Sequence, residues 1–396
     1  MLSNKALGIR PSPTMAIDSK AKEMKSQGIN VIGFGAGEPD FDTPSHIREA
    51  AIKAINEGHT RYTPAAGTPE LREAICDKLR SENGLEYNPA QIVVSNGAKH
   101  SISNAFTALL NPGDEVMIPV PYWVSYPELV RLNDGLPIPV ETSESNNFRI
   151  TPTNLEKACN SKCKILVLNS PSNPTGQICS EEDLAGIADF CFERDIYIIS
   201  DEIYEKLIYG SASHSSVAGI SDRAKEMTIV VNGVSKSYAM TGWRIGYTAS
   251  SPEIAGVMAN IQSHTTSNPN SIAQKAALAA LQGPQECVEE MRLAFDERRQ
   301  YMYDQIKAIP NLDALNPQGT FYLFVNIANT FGRSFNGENI SGSDDFARLL
   351  LESRQVALVP GTGFGAPDHV RLSFATSMNN IVEGLERIKT FVGDLK

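Results

Sequence analysis

Short, wholly apolar, β-branched runs punctuate the first two thirds of the chain: "QIVVS", "EVMIP", "KILVLN", "IYIIS", "TIVVN" and "RIGYTA". None alternates apolar with polar residues, as a half-exposed strand does, so both faces of each are read as buried. That is the pattern of a largely parallel sheet covered by helices. The intervening segments read as helices. "TPSHIREAAIKAINEG" and "TPELREAICDKLRSENG" each open with Thr-Pro and close with Gly, the asymmetry helix ends prefer. Further helices are expected from Ala98 to Leu110, after Trp123, and from Ser180, where Asp183 stands at capping-box spacing. From about Pro269 the pattern turns helical through "ECVEEMRLAFDERRQYMYDQIKAI", then becomes mixed: "TFYLFVN", a helix at "SDDFARLLLESR", "VALVP", "HVRLSFA" and a last helix. The pattern predicts an α/β fold, with a large domain over residues 41–285 built on a mostly parallel central sheet sandwiched by helices. A smaller α+β domain follows from residues 286–396, completed by residues 1–40.

Composition narrows the class. At 396 residues, 41% hydrophobic and 20% charged, the chain has ample material for one large core and a smaller companion. A net charge of -11 disfavours a nucleic-acid partner, because phosphate backbones reward basic surfaces. No run approaches the ~18 apolar residues of a membrane helix, and "MLSNKALGIRPSPT" lacks the apolar stretch of a secretory signal. A cytoplasmic enzyme that contacts no membrane is the expectation. Six cysteines in a chain this long are read as reduced thiols, and the six histidines show no metal-binding spacing. They are expected to be surface or singly bonded residues, with no metal.

Two glycine clusters, "GFGAGEP" from Gly33 and "GTGFGAP" from Gly361, do not fit G-x-G-x-x-G and open no obvious helix. "GAKHS" lacks the rest of a nucleotide P-loop, and "GVSKS" lacks the second glycine of a nucleophile elbow. More telling is where polar residues follow strands: Asn173 in "NSPSNPTG", Asp201 and Tyr204 in "SDEIY", and Lys236 in "NGVSKS". In an open α/β sheet the carboxyl ends of strands form the ligand crevice, so these side chains can converge there. Taken singly, each also fits a turn or a helix cap.

Together with "GAGEPDFDTP", "RYTPAAGTPELREAI", "PYWVSYPE", "SKSYAMTGWRIGY" and "HVRLSFA", these segments follow a known order over almost the whole length. The chain resembles the class I aminotransferases of fold type I, which depend on pyridoxal 5'-phosphate, and in particular the bacterial aspartate aminotransferase subgroup.

The resemblance implies a role for each residue. Lys236 resembles the lysine that bonds the cofactor's aldehyde and shuttles a proton. An ordinary lysine titrates near ~10.4 and that task needs ~7–8, a gap that desolvation and nearby positive charge can supply. Asp201 resembles the carboxylate facing the pyridine nitrogen. Asn173 and Tyr204 resemble the donors to the phenolic oxygen, and Trp123 the aromatic residue stacked on the ring. Gly97, Ala98 and Lys99, at a helix start, resemble the backbone part of a phosphate cup, with Ser235 and Arg244 adding a hydroxyl and a forked cation. Many relatives carry a hydroxyl residue where this chain has Gly233, so the cup is expected to lean on Arg244. Tyr62 resembles a tyrosine that reaches the phosphate of a neighbouring subunit, which implies a homodimer with shared active sites.

For substrates, Arg371 resembles the arginine that grips the α-carboxylate, with Gly37 and Asn173 assisting and Trp123 alongside. Lys99 and Arg10 are expected near a distal carboxylate, with the small domain closing over the site. The reaction implied is amino transfer between L-aspartate and 2-oxoglutarate, giving oxaloacetate and L-glutamate. Arg10 stands where many members have lysine, which keeps prephenate or aromatic transamination as the alternative. A C–S lyase on the same scaffold is a more distant one.

Overall fold

The computed structural model describes residues 2–9 and 13–396. In chain order its strands are β1 (Ile32–Gly33), β2 (Ile92–Ser95), β3 (Glu115–Pro119), β4 (Leu136–Val140), β5 (Cys163–Asn169), β6 (Tyr197–Asp201), β7 (Thr228–Gly233) and β8 (Gly246–Ala249). There follow β9 (Asp313–Ala314), β10 (Tyr322–Asn326), the small hairpin β11 (Ser334–Phe335) and β12 (Glu338–Asn339), β13 (Val356–Ala357), β14 (Val359–Pro360) and β15 (His369–Ser373).

Seven strands form one sheet in the order β2-β8-β7-β6-β5-β3-β4. The expected burial holds at its centre: every residue of β7 is buried, and helices cover both faces. The parallel reading holds for all strands but one. β8 runs antiparallel to both β2 and β7, so its amino end lies at the edge where the other six strands present their carboxyl ends. This reversal brings Arg244, two residues before β8, to the same edge as Lys236.

A second sheet, antiparallel, has the order β14-β15-β10-β9. It packs on the helices Glu286–Lys307, Ser343–Arg354 and Met378–Gly393 through fully buried Phe295, Phe321, Phe346, Phe374 and Phe391. The early strand β1 joins this late part of the chain by pairing in parallel with β13, Ile32 opposite Val356. Ser373 N–H then donates to Phe34 O at 2.8 Å. The backbone beyond β1, Gly35 to Glu38, is thereby held between the two sheets.

Ser180 forms the expected capping box with Asp183. The Thr-Pro segments behave otherwise. Neither Thr43 nor Thr68 caps its helix through the side chain, and Thr43 Oγ1 instead donates to Ala239 O at 2.7 Å while accepting from Trp243 Nε1 at 2.9 Å. Helices at Pro152–Ala158, Asp222–Met227 and Pro252–Thr265 add to those expected. Among the described residues no helix is long and apolar enough to cross a membrane. All six cysteines are free.

Candidate active site

The two sheets enclose a cleft of about 710 Å³, a size suited to a small molecule. Gly37, Ala98, Lys99, Trp123, Asn173, Asp201, Tyr204, Ser235, Lys236, Arg244 and Arg371 all line it. Gly97 stands beside it as the cap of the helix Ala98–Leu109. Tyr62 is not part of it: its side chain is 90% exposed on the single chain. Arg10 lies outside the described residues. Sequence reading missed Tyr126 and Tyr322, which also line the cleft. Tyr126 follows Trp123 by three positions, a spacing that could have flagged it, whereas Tyr322 gives no local signal because it arrives from the second sheet.

Lys236 follows β7. Its Nζ donates to Gly37 O at 2.6 Å, and no carboxylate pairs with it among the described residues. Burial and, next, the charge of Arg371 bring its pKa down to about 8, so roughly a tenth is neutral amine at pH ~7, against far less than a hundredth for an ordinary lysine. Asp201, at the end of β6, is fully enclosed. Burial pushes its carboxyl up to about 6, although Tyr126 O–H donates to Oδ2 at 2.6 Å and Ile203 N–H to Oδ1 at 3.3 Å. A carboxylate so desolvated favours a cationic partner.

Arg371 sits mid-strand on β15, opposite Phe324 of β10 and Val359 of β14. It is only 2% exposed. Its guanidinium donates to Asn173 Oδ1 at 3.0 Å and Gly35 O at 3.2 Å, and lies over the Tyr322 ring at 4.1 Å and the Phe364 ring at 5.1 Å. Its buried Nε has no hydrogen-bond partner among the described residues, so a forked donor with spare capacity lines the cleft, the geometry that captures a carboxylate. Tyr204 and Tyr322 link hydroxyls at 3.1 Å. Lys99 Nζ lies 5.0 Å from the centre of the Trp123 ring, and burial followed by Arg244 lowers its pKa.

At the cleft's other end the first amides of the helix Ala98–Leu109 lack carbonyl partners within the helix and point the positive end of its dipole outward. Gly97 has φ +88, and a methyl there would approach Arg244 Nη2 to 2.4 Å. At Gly246 a methyl would come within 2.2 Å of Ala98 N. Arg244, exposed and itself at φ 57, is steered by a bond from Nη1 to Thr241 O at 2.8 Å. Gly233, besides lacking a hydroxyl, is crowded by the neighbouring strand. A Cβ at that position would meet Ile245 O at 2.8 Å and Gly246 Cα at 2.9 Å, so strand packing demands the glycine.

His214 and His369 are of the singly bonded kind expected, their side chains buried beside carboxylates: His214 Nε2 meets Glu202 at 3.3 Å and His369 Nδ1 meets Asp368 at 2.8 Å. Glu202, Glu205 and His214 bring ligand atoms within 4.8 Å of one another, but the place of a cation is already taken by buried Lys78, which pairs with Glu205. Asn83 donates to Glu205 at 2.7 Å, and Ser200 and Ser216 each to Glu202 at 2.7 Å. The "GTGFGAP" cluster differs from expectation, forming a short 3-10 turn, Gly361–Phe364, that delivers Phe364 to Arg371.

Residues 29–388 match the family model of aminotransferase class I and II. The chain belongs to this family. It is 51% identical to the aspartate aminotransferase of Bacillus subtilis, over 99% of this chain and 98% of that protein. It is 45% identical to the aspartate/prephenate aminotransferase of Nitrosomonas europaea, over 99% of both. The aspartate aminotransferase of Rhizobium meliloti superposes with a TM-score of 0.97 at 41% identity over 100% of both chains. That of Thermus thermophilus with maleate gives 0.93 at 42% identity over 99% of both. Class I and II aminotransferases thus provide the setting for a cleft with an unpaired amine, a buried carboxylate and an unsatisfied guanidinium.

Proposed function

We propose that this chain is a pyridoxal-phosphate-dependent aspartate aminotransferase, exchanging the amino group between L-aspartate and 2-oxoglutarate. The single observation that carries the reading is the cleft's pairing of Lys236, an amine without a carboxylate partner, with Arg371, a buried guanidinium without an anion. The residues present fit the cofactor. Asp201 needs a cation to offset its burial, which a protonated pyridine nitrogen provides, and the Gly97–Lys99 helix start with Arg244 and Ser235 suits a phosphate. When bound, pyridoxal 5'-phosphate supplies an aldehyde for the amino group and an electron-poor ring that draws charge from the substrate's Cα.

The chain's own residues do the rest. Arg371, steadied by Asn173 and Gly35, binds the α-carboxylate in a fork and so fixes which bond at Cα faces the ring. Lys236, with a pKa of about 8, would be matched to taking up and giving back the proton of the substrate's Cα. Asp201 would hold a proton on the ring nitrogen, and Tyr126 keeps that carboxylate oriented. Asn173 and Tyr204 are placed as donors to the phenolic oxygen, and Trp123 to cover the ring face. Lys99 and Arg10 are assigned to the distal carboxylate, which favours dicarboxylic substrates. The larger body, residues 41–285, then carries the cofactor, while residues 1–40 with 286–396 close over the substrate. Tyr62, exposed on one chain, is assigned to the phosphate of a second copy in a cytoplasmic homodimer. Prephenate is the second acceptor to test, supported by the Nitrosomonas europaea relative.

The test is spectroscopic and kinetic. Purified protein with cofactor should show a visible absorption band that borohydride bleaches, leaving the cofactor's mass on the peptide containing Lys236. Aspartate with 2-oxoglutarate should then yield glutamate. A colourless protein that added cofactor cannot restore, or ammonia release without glutamate, rules the reading out.

A further inference from the structure

Glu144 lies in the short turn Glu144–Asn146, on the connection from β4 to the helix Pro152–Ala158, and so belongs to the seven-stranded sheet's side of the cleft. Its partners belong to the other side. Asn326 Nδ2 of β10 donates to Glu144 Oε2 at 2.6 Å, and His369 Nε2 of β15 faces the same oxygen at 3.5 Å. His369 Nδ1 meets Asp368 at 2.8 Å. Four residues after Glu144, Phe148 packs edge-on against His369 at 5.7 Å and Phe324 at 6.1 Å, while the His369 ring stacks on Phe324 at 4.6 Å and 9°. Asn147 and Phe148 hold φ of 51 and 52, a left-handed pair that a bulky residue adopts only when its surroundings impose it.

This contact leads straight to the substrate arginine. Side chains two apart on a strand share a face, so His369 and Arg371 project together from β15. Phe324 is Arg371's register partner, and Phe364 touches both, at 6.0 Å from Phe324 and 5.1 Å from the guanidinium. A packed path therefore runs from Glu144 through His369, Phe324 and Phe364 to Arg371.

We propose that Glu144, Phe148 and His369 form a latch that seats β15 on the larger sheet's side, making Glu144 and His369 positioning residues for Arg371. The inference rests on the proposed function only for what Arg371 binds. The charged groups facing His369 are Asp368 and Glu144, and Asp313 and Lys307 stand near Glu144. Burial works against the imidazolium, but the facing carboxylates of Glu144 and Asp368 outweigh it and raise His369 above its ordinary 6.5. The His369 ring 3.5 Å away, an ion-pair contact beyond a hydrogen bond and opposed by burial, holds Glu144 low. The latch is thus fully charged between those two pKa values. It is lost as pH rises through the raised pKa of His369 or falls through the lowered pKa of Glu144.

Holoenzymes carrying Glu144→Gln or His369→Gln test this. With retained cofactor absorbance as the check on folding, the KM for aspartate should rise roughly ten-fold, as losing a part-buried ion pair across this contact implies, with kcat changing less than about two-fold. Wild-type KM should climb at alkaline pH, and Glu144→Gln should flatten that climb. Two readouts need no turnover: in Glu144→Gln the NMR titration of His369 should shift to lower pH, and hydrogen exchange at residues 369–373 should quicken. An unchanged His369 titration with unchanged KM overturns the latch. Wild-type protein that ignores aspartate while both turnover-free readouts still shift overturns the proposed function and leaves the latch standing.

Discussion

Lys78 is buried and Lys236 half-buried at the floor of the cleft, and their surroundings differ in kind. Lys78 meets Glu205 directly, with Glu82 at 3.6 Å and Asn83 at 2.7 Å. Burial alone would lower its pKa, but the acidic partners reverse that and raise it. Lys236 has a carbonyl instead, with Arg371 nearby, and its pKa falls to about 8. A buried amine next to a carboxylate becomes a permanent structural charge, whereas one facing a dipole and a cation becomes a base. The same residue type is made inert on one side of the molecule and reactive on another by its neighbours alone.

Swapping each lysine for an apolar chain of similar length should separate the two roles. Lys236→Met is expected to cost activity roughly ten-thousand-fold, the upper end of what a positioned acid–base contributes, while leaving thermal stability at neutral pH unchanged or higher. Steady-state rates and calorimetry on one preparation check both halves. Lys78→Met should do the reverse. It strands the buried Glu205 charge, which costs about 3–5 kcal/mol in a urea titration, while turnover per folded molecule stays near wild type. Adding Glu205→Gln in that background should recover part of the loss. A Lys78→Met protein as stable as wild type would show that the pair is more hydrated than its burial implies.

A gentler contrast comes from pH on the cofactor-free protein. Lys236 titrates lower folded than unfolded, so the unfolded chain binds more protons above about 8, and its contribution to stability grows as pH rises toward ~10.4. Glu205 has a folded pKa of about 2. Its contribution is present above the unfolded value near ~4.3 and is lost as pH falls from there toward about 2. Relative to Lys236→Met, wild type should gain about 2 kcal/mol between pH ~8 and ~10.4 at ~1.4 kcal/mol per pKa unit. A flat difference would mean that Lys236 is already solvated in the empty cleft.

What the sequence disclosed follows the same division. The reactive side was legible because its residues sit just beyond strands whose unbroken apolar runs announce both burial and direction. That Lys236, Asp201 and Asn173 can converge on one edge was therefore readable, and the family resemblance gave each its role. The inert cluster was not legible. Lys78, Glu202 and His214 come from a helix, a strand end and a loop far apart in the chain, and nothing local marks a histidine that a distant glutamate will bury. The pairing of β1 with β13, the reversal of β8 and the approach of Tyr322 to Arg371 were hidden for the same reason. Each is a long-range contact that leaves no periodic trace. Gly233 adds a further case, since its crowding against the backbone of β8 has no local trace in the sequence.

Where β8 passes the start of the helix Ala98–Leu109, backbone rests on backbone: a methyl on Gly246 would lie 2.2 Å from Ala98 N and 2.6 Å from Gly97 C. A wall of side chains can repack around a larger or smaller guest, but this one has no adjustable part. It works as a fixed stop. Any side chain at position 246 would be driven into the start of the helix, so the spacing between β8 and those amides has no intermediate settings for mutation to explore.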